Sequence, residues 1–557
     1  MSNYNIKVMT ECDGILKINS QTAKELNLDR IKNSVLRFGL RVSEIHILVD
    51  ESIEIEDLFI SKNVIDFLMI PYDCTYNISV KNNELLIGPF IGIFIGNKEQ
   101  GIVKRMKLLN SFVKKYSQIN GTIFAFTMEG INKSEFIIDG YFFNENLNLW
   151  MKKKLPFPMS IFNRFTMSKK QREFFRSIYG DKIFNPKAIN KWEMYEQLVQ
   201  YPETKELLPE TIQYTNSKDI IDMLNKHNTV YIKPISGKQG VGIFKVEKLE
   251  NFYLVKTREN QENVEWSLRD ERDLDKFMKV KLNNGNYIIQ ESLNIQLDKK
   301  SIDFRVGMDK DQSGEWKRTM FVSRISGTES IISNRAAGGG EVRTIEDVLK
   351  NEYKMDKQMV NRYKEYLVSK SKLISKKLEM TGLNMGKLAF DLAIDINKKV
   401  WLIEINTRYP DDTLANAIDK EIVSEIRLKN MLYAKLLSGF KDERNDYKFN
   451  FDEKNIMLKG SKIKKRIRIY VSIPIKSRKK YREYVMNCSE QLGLVGKIEN
   501  NITTKKIVIE VEGQSNKIDR FIKLIKVYDG INALGLEAMN EFKLEKGFKN
   551  VINKNKK

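Results

Sequence analysis

The apolar runs on either side of the polar joint Asn397-Lys398 make residues 388–406, LAFDLAIDINKKVWLIEIN, read as two apolar strands. A short polar joint suits a tight hairpin, although lysine stands where glycine is preferred. A turn centred there sets Asp391 opposite Glu404, and the two-residue strand repeat adds Asn406 to the same face. Two opposed carboxylates destabilise a hairpin unless something compensates. Hard oxygen donors of this kind suit Mg²⁺ or Mn²⁺, with nucleotide phosphates completing the shell. The competing reading is the ordinary solvent-facing side of a hairpin, and the apolar character of both strands argues against it.

The same pattern divides the rest of the chain. Residues 1–85 hold short strands and one helical stretch, 20–28, which predicts a small β domain, a barrel. At 85–96, LLIGPFIGIFIG reads as a single buried strand. Helical periodicity over 101–116 and three further apolar runs follow, so 86–164 predicts a small doubly wound α/β unit. A third domain is expected over 165–440, a polar linker over 441–460, and a basic domain over 461–557. The last runs strand, helix, strand, strand, helix, which is the order of a ferredoxin-like split βαβ unit.

Within 165–440, VYIKPISGKQGVGIFKV (230–246) carries Lys233, then Ser236, Gly237, Gly240 and Gly242 between two strands. Such glycines let backbone N–H groups approach phosphate oxygens beside a lysine ammonium. A plain hairpin turn also uses glycine. Asn190-Lys191-Trp192 opens a helix, and Lys191 is either a ligand group or a solvated surface lysine. YIIQESL ends a strand in Gln290 and Glu291. Asp303 and Arg305 share a strand face and read as a phosphate-binding arginine or as a structural pair. Arg324, Asn334 and the run Gly338-Gly339-Gly340 follow, as an anion-holding loop or a plain connection.

Charge and composition narrow the picture. With 95 Lys+Arg against 73 Asp+Glu the net charge is +22, which favours polyanionic partners without choosing one. Residues 441–557 alone hold 28 Lys+Arg and 15 Asp+Glu, a net of +13. Cys12, Cys74 and Cys488 lack paired spacing, and two histidines cannot build a zinc motif, so free thiols in a reducing compartment are expected. No transmembrane segment or signal peptide is expected, and the localisation expected is cytoplasmic.

Asp391, Glu404 and Asn406 resemble the metal-ligand set of ATP-grasp enzymes, in which an acidic residue precedes a Glu-x-Asn pair. The region resembles the YheC/YheD family of ATP-grasp proteins associated with endospore coats, over most of residues 1–440. The resemblance implies ATP and Mg²⁺ (or Mn²⁺) as cofactors, Lys191 and Lys233 on the phosphates, and the 236–242 loop over the triphosphate. It implies Gln290 and Glu291 at the adenine and ribose. The implied chemistry activates a carboxylate as an acyl-phosphate for attack by an amine or similar nucleophile. Several ATP-grasp ligases carry an arginine two residues before the first metal carboxylate; here that residue is Ala389, so Arg305, Arg324 or Arg343 must supply the cation. Over 481–500 the tail resembles acylphosphatase, with Arg482 as the phosphate-binding arginine and Asn500 as the water-orienting asparagine. The glycines of that family's phosphate loop are replaced by Pro474-Ile475-Lys476-Ser477-Arg478. Acylphosphatase activity is therefore a second reading. A non-catalytic nucleotide-binding protein of the spore coat, with coat proteins or an anionic polymer on the basic tail, is a third.

Overall fold

The computed structural model describes residues 2–441 and 464–551, apart from 73, 82, 238–240, 260–261, 283–285, 299, 326–340, 409, 420, 502–505, 527, 529–530, 532 and 540–547. The chain forms two compact units. One comprises 1–186, 312–314 and 431–557; the other comprises 187–311 and 315–430. The three outer domains expected from the sequence thus share one unit, and the described parts of 165–186 and 431–440 belong to it as well.

In the first unit a closed barrel runs Tyr4–Met9, Asp57–Ser61, Ile15–Ile18, Arg41–Val49, Asn33–Phe38, Glu84–Gly88, Thr75–Lys81 and back to the first strand. Alternate residues such as Leu16, Ile18, Leu36, Phe38, Leu58 and Ile60 fill its interior. Two helices accompany it, Ser20–Glu25 and Lys62–Leu68; the second was not legible in the pattern. The apolar run 85–96 is two strands and not one. Glu84–Gly88 closes the barrel, and Phe90–Gly96 begins the next sheet after a cis Gly88-Pro89 bond. Proline lacks the N–H that a continuous ladder would need there.

That next sheet has the order Leu149–Pro156, Ile137–Asn144, Thr122–Asn132, Phe90–Gly96, Ser160–Asn163, Ile183–Phe184. The last four strands are parallel, and the first two run antiparallel to their neighbours. It is therefore mixed, where a doubly wound parallel unit was expected. The basic domain forms a five-stranded sheet in the order Ala533–Met539, Lys464–Ser472, Lys506–Gln514, Val495–Asn501, Phe548–Val551, with helices Arg478–Gln491 and Ser515–Lys526. Its fourth strand in chain order, which the sequence left open, is Ala533–Met539.

The second unit contains two antiparallel sheets. The first has the order Thr211–Gln213, Tyr287–Glu291, Thr229–Pro234, Phe244–Lys248, Tyr253–Glu259, Glu262–Leu268. Helices Ser217–His227 and Glu271–Leu282 bury Ile220, Leu224, Leu274 and Met278 with Val230, Ile232, Val246 and Val255 from its strands. The second has the order Glu341–Thr344, Trp316–Ile325, Lys300–Lys310, Lys387–Ile394, Val400–Asn406. Helix Lys357–Glu379 packs Leu367, Ile374 and Leu378 with Phe304, Val306, Leu388 and Phe390. The stretch between Glu341–Thr344 and Lys387–Ile394 in sequence holds two helices, Ile345–Asn351 and Lys357–Glu379.

Candidate functional site

The hairpin pairs Asp391 with Glu404. It does so by a different route from the one the sequence suggests. Asp395 N donates to Lys399 O, Lys398 N donates to Asp395 O, and Lys398 sits at φ +64°. This is a three-residue loop with a left-handed last residue. A bulge then shifts the register: Leu392 pairs with Leu402 while Asp391 pairs with Glu404, leaving Ile403 as the extra residue. The longer loop and the bulge cancel, and the two carboxylates face each other.

Asp391 is buried, and so is Arg305, which lies opposite it on the neighbouring strand. Arg305 grips the carboxylate in fork fashion, with Nε donating to Oδ1 and Nη2 donating to Oδ2 at 2.8 Å. Arg324, one strand further, reaches Asp391 Oδ2 at 3.0 Å and donates to Asp303 Oδ1 at 2.6 Å. Asn406 Nδ2 adds a longer contact, 3.4 Å, to Asp391 Oδ2. Burial alone would raise the Asp391 pKa; Arg305 and then Arg324 outweigh it and hold the carboxyl below its ordinary value. The same balance, burial against Asp391 and Asp303, leaves Arg324 above the usual arginine range. Two arginines thus hold Asp391. Arg343 does not take part, since its guanidinium holds Glu341, Glu352 at 3.1 Å and Asp347 at 3.5 Å.

Glu404 is the less satisfied carboxylate. Burial, and then Asp391, push its pKa up, against Lys191, Arg305 and Lys233. Its side chain remains 41% exposed, so solvent screens much of that penalty. Lys191 Nζ stands 3.8 Å from Glu404 Oε1. Lys191 arrives there because Asn190 caps its helix in a reciprocal capping box with Glu193. Lys233 projects from the strand Thr229–Pro234, and its ammonium donates to Gln290 Oε1 at 2.6 Å. Burial and then the neighbouring Lys191 lower Lys233 to about 8, with Glu404 opposing. Both lysines and both carboxylates therefore meet in one place.

The glycine loop joins Thr229–Pro234 to Phe244–Lys248. Ser236 and Gly237 are exposed, and Gly242 sits at φ +75°, a conformation that favours glycine. Gly240 lies outside the described residues, as do Asn334 and Gly338 to Gly340. Gln290 also donates to Thr211 Oγ1 at 2.9 Å. Glu291 Oε1 accepts from the Glu210 N–H at 2.7 Å, and Oε2 lies 3.4 Å from His227 Nδ1. His227 Nε2 faces Glu210 at 3.0 Å. The sequence reading missed the Glu210–His227 partnership, because it exists only once Thr211–Gln213 pairs with Tyr287–Glu291.

A second buried group was also missed. Lys387 lies between Asp309, at 3.0 Å, and Asp412, at 2.6 Å, and Asn430 donates to Asp309 at 2.6 Å. Lys387 precedes Asp391 by four residues on the same strand face, so this network anchors the strand that carries the site. The signal was a lysine at the start of a strand whose one other charged residue is Asp391.

In the other unit, Arg482 lies in the helix Arg478–Gln491 and is buried, and its pKa is lowered by burial. Asn500 lies on Val495–Asn501, where its buried Oδ1 accepts no hydrogen bond among the described residues.

Residues 180–437 match the family model described as YheC/D like ATP-grasp. The matched part carries Lys191, Lys233, Arg305, Arg324, Asp391, Glu404 and Asn406 and is similar to that family. At the level of single proteins, the chain is 26% identical over 418 residues to the endospore coat-associated protein YheD of Bacillus subtilis (strain 168), covering 72% of this chain and 90% of that one. Among solved structures, the VanG D-Ala:D-Ser ligase from Enterococcus faecalis is 10% identical, covers 62% of this chain and 98% of its own, and has a TM-score of 0.36. The N5-carboxyaminoimidazole synthetase from Staphylococcus aureus complexed with ADP is 12% identical over 61% and 76% of the two chains, with a TM-score of 0.36. No helix among the described residues is long and apolar enough to cross a membrane.

Proposed function

We propose that the second unit binds ATP with Mg²⁺ (or Mn²⁺) and transfers the γ-phosphoryl group to a carboxylate, giving ADP and an acyl-phosphate. An amine or similar nucleophile then attacks the acyl carbon and releases phosphate. The observation that carries this reading is the convergence of Lys191, Lys233, Glu404, Asp391, Arg305 and Arg324 within one unit.

The donor set fits a hard divalent cation: two carboxylates and a carboxamide, all oxygen ligands, with Glu404 holding negative charge at a cost that a cation would relieve. Asp391, Glu404 and Asn406 would hold the ion, which when bound neutralises phosphate charge. Lys191 and Lys233 place ammonium groups for the phosphate oxygens, and the 236–242 loop offers backbone N–H donors. Gln290 positions Lys233 through their 2.6 Å contact. Glu291, bonded to the Glu210 N–H, holds the strand end that would face base and ribose. Arg305 and Arg324 replace the arginine missing at Ala389 and would stabilise charge on the acyl-phosphate.

Calorimetric titration of Mg²⁺-ATP into the wild type and into Asp391→Ala/Glu404→Ala tests this. Binding that requires both carboxylates is expected, and a wild type that binds no nucleotide would remove the ligase reading. A place in or near the spore coat, by analogy with the YheD relative, belongs to the same proposal, as does a cytoplasmic site of action. A second reading concerns the tail. Its first four strands stand in the order 4-1-3-2, as in a ferredoxin-like, acylphosphatase-like domain, and the Asn500 carbonyl group is buried with no donor among the described residues. Acyl-phosphate hydrolysis lost in Arg482→Ala, with ATP binding kept, would support it.

A further inference from the structure

We propose that the surface of the first unit around the turn after the helix Lys169–Tyr179, shared with barrel residues and with the helix Ser515–Lys526, binds a compact multivalent phosphate anion. Four cations from distant parts of the chain gather there. Arg37 comes from the barrel strand Asn33–Phe38, and Lys81 from the barrel strand Thr75–Lys81. Lys182 closes the short 3₁₀ turn Gly180–Lys182, and Arg520 comes from the basic domain. One carboxylate answers them. Glu84 lies across the barrel hairpin from Lys81 and is held by Arg37.

One hydrogen bond joins two of these segments, and charge interactions bring in the barrel residues. The Arg520 guanidinium donates to the Ile178 carbonyl in the last turn of the helix before Lys182. That bond uses one of five guanidinium N–H groups and adds no formal negative charge. Lys182 is held below its ordinary pKa by burial first, then by Arg520, Arg37 and Lys81, with Glu84 opposing. Arg520 is lowered by burial and then by Arg37. Like charges crowded in this way cost stability unless an anion joins them. Lys81, Lys182 and Arg520 all keep exposed surface, so a ligand can reach them from solvent.

An independent observation points the same way. Tyr179, between Ile178 and the Lys182 turn, is only 5% exposed, and its buried hydroxyl has no hydrogen-bond partner among the described residues. Arg520 acts electrostatically on that hydroxyl. A hydroxyl donor, a guanidinium fork and two ammonium groups suit phosphate oxygens carrying several charges. The site does not depend on the ATP-grasp reading, since none of its residues lies in the unit that carries that reading.

The test is calorimetric titration of the full chain with inorganic triphosphate, without nucleotide. Saturable binding is expected, weakened roughly tenfold by Lys182→Met and by Arg520→Gln, the loss of one charge-assisted contact each. Tyr179→Phe should weaken binding a few-fold without lowering the melting temperature of the free protein, because it removes a hydroxyl without a hydrogen-bond partner among the described residues. Binding should persist in Lys233→Ala, which removes phosphate-binding charge from the other unit. The proposal is overturned if triphosphate shows no saturable binding. It is equally overturned if binding survives in a folded Lys182→Met/Arg520→Gln chain or is lost in Lys233→Ala alone.

Discussion

Replacing Arg305 with methionine strips Asp391 of its principal partner while keeping much of the buried aliphatic stem. The pair is deeply placed, with side-chain exposures of 9% and 6%. Two charge-assisted hydrogen bonds disappear, each worth about 1.5–3 kcal/mol. Breaking one side of a buried ion pair costs about 3–5 kcal/mol in general. Here Arg324 at 3.0 Å and Asn406 at 3.4 Å still serve one oxygen, so about 3 kcal/mol is expected. The effect should also depend on pH. Arg305 depresses Asp391, so the carboxylate contributes stability above its unfolded pKa of about 3.9 and loses it as pH falls through the lower folded value. Without Arg305 the folded value rises, and the acid limb of the stability curve moves up. Urea unfolding followed by tryptophan fluorescence can read this, because Trp192, Trp266, Trp316 and Trp401 lie in the second unit and only Trp150 lies in the first. A loss below about 1 kcal/mol would refute the reasoning, since it would mean that water already serves Asp391.

Four further outcomes follow from the structure. Lys233, with its pKa lowered to about 8, should bind ATP less well as pH rises past that value, by roughly tenfold between pH 7 and 9 if its charge is required, and Lys233→Arg should flatten the profile. The same group should make the free protein more stable as pH climbs from 8 toward 10.5, where the unfolded chain binds more protons, and pH-jump unfolding would show the slope. Lys387→Met should cost about 3–5 kcal/mol by leaving Asp309 and Asp412 facing each other, and Lys387→Met/Asp309→Asn should recover part of that loss in urea titrations. Of the three thiols, exposed Cys12 should react at once with a disulfide reagent, while buried Cys74 and Cys488 should react only on unfolding, Cys488 being held far above the ordinary thiol pKa by burial.

A turn placed between two apolar strands over 388–406 was enough to set Asp391 against Glu404, because side-chain facing is a property of one hairpin. It was not enough to count the loop: the three-residue turn at Lys398 and the bulge at Ile403 compensate each other, and either alone would have turned one carboxylate away. Likewise Asn190 and Glu193 announced the start of a helix, and with it the presence of Lys191 at its first turn. That Lys191 then meets Glu404, more than two hundred residues later, follows from how that helix packs on the sheet and from no local signal.

Local chemistry therefore determined the strands, the turns, the helix starts, the glycine loop and the kinds of side chain available for binding phosphate. These depend on backbone sterics and on a period that a short window already contains. Tertiary structure decided which charges meet. Arg305 and Arg324 reach Asp391 only because Lys300–Lys310 lies between Trp316–Ile325 and Lys387–Ile394. Lys182 feels the charges of Arg37 and Arg520 only because folding brings a barrel strand and a helix near the end of the chain to the same turn. Strand order and helix docking are set by many small burial terms summed over the whole unit, each too weak to be read at its own position, and electrostatic partnership is inherited from them.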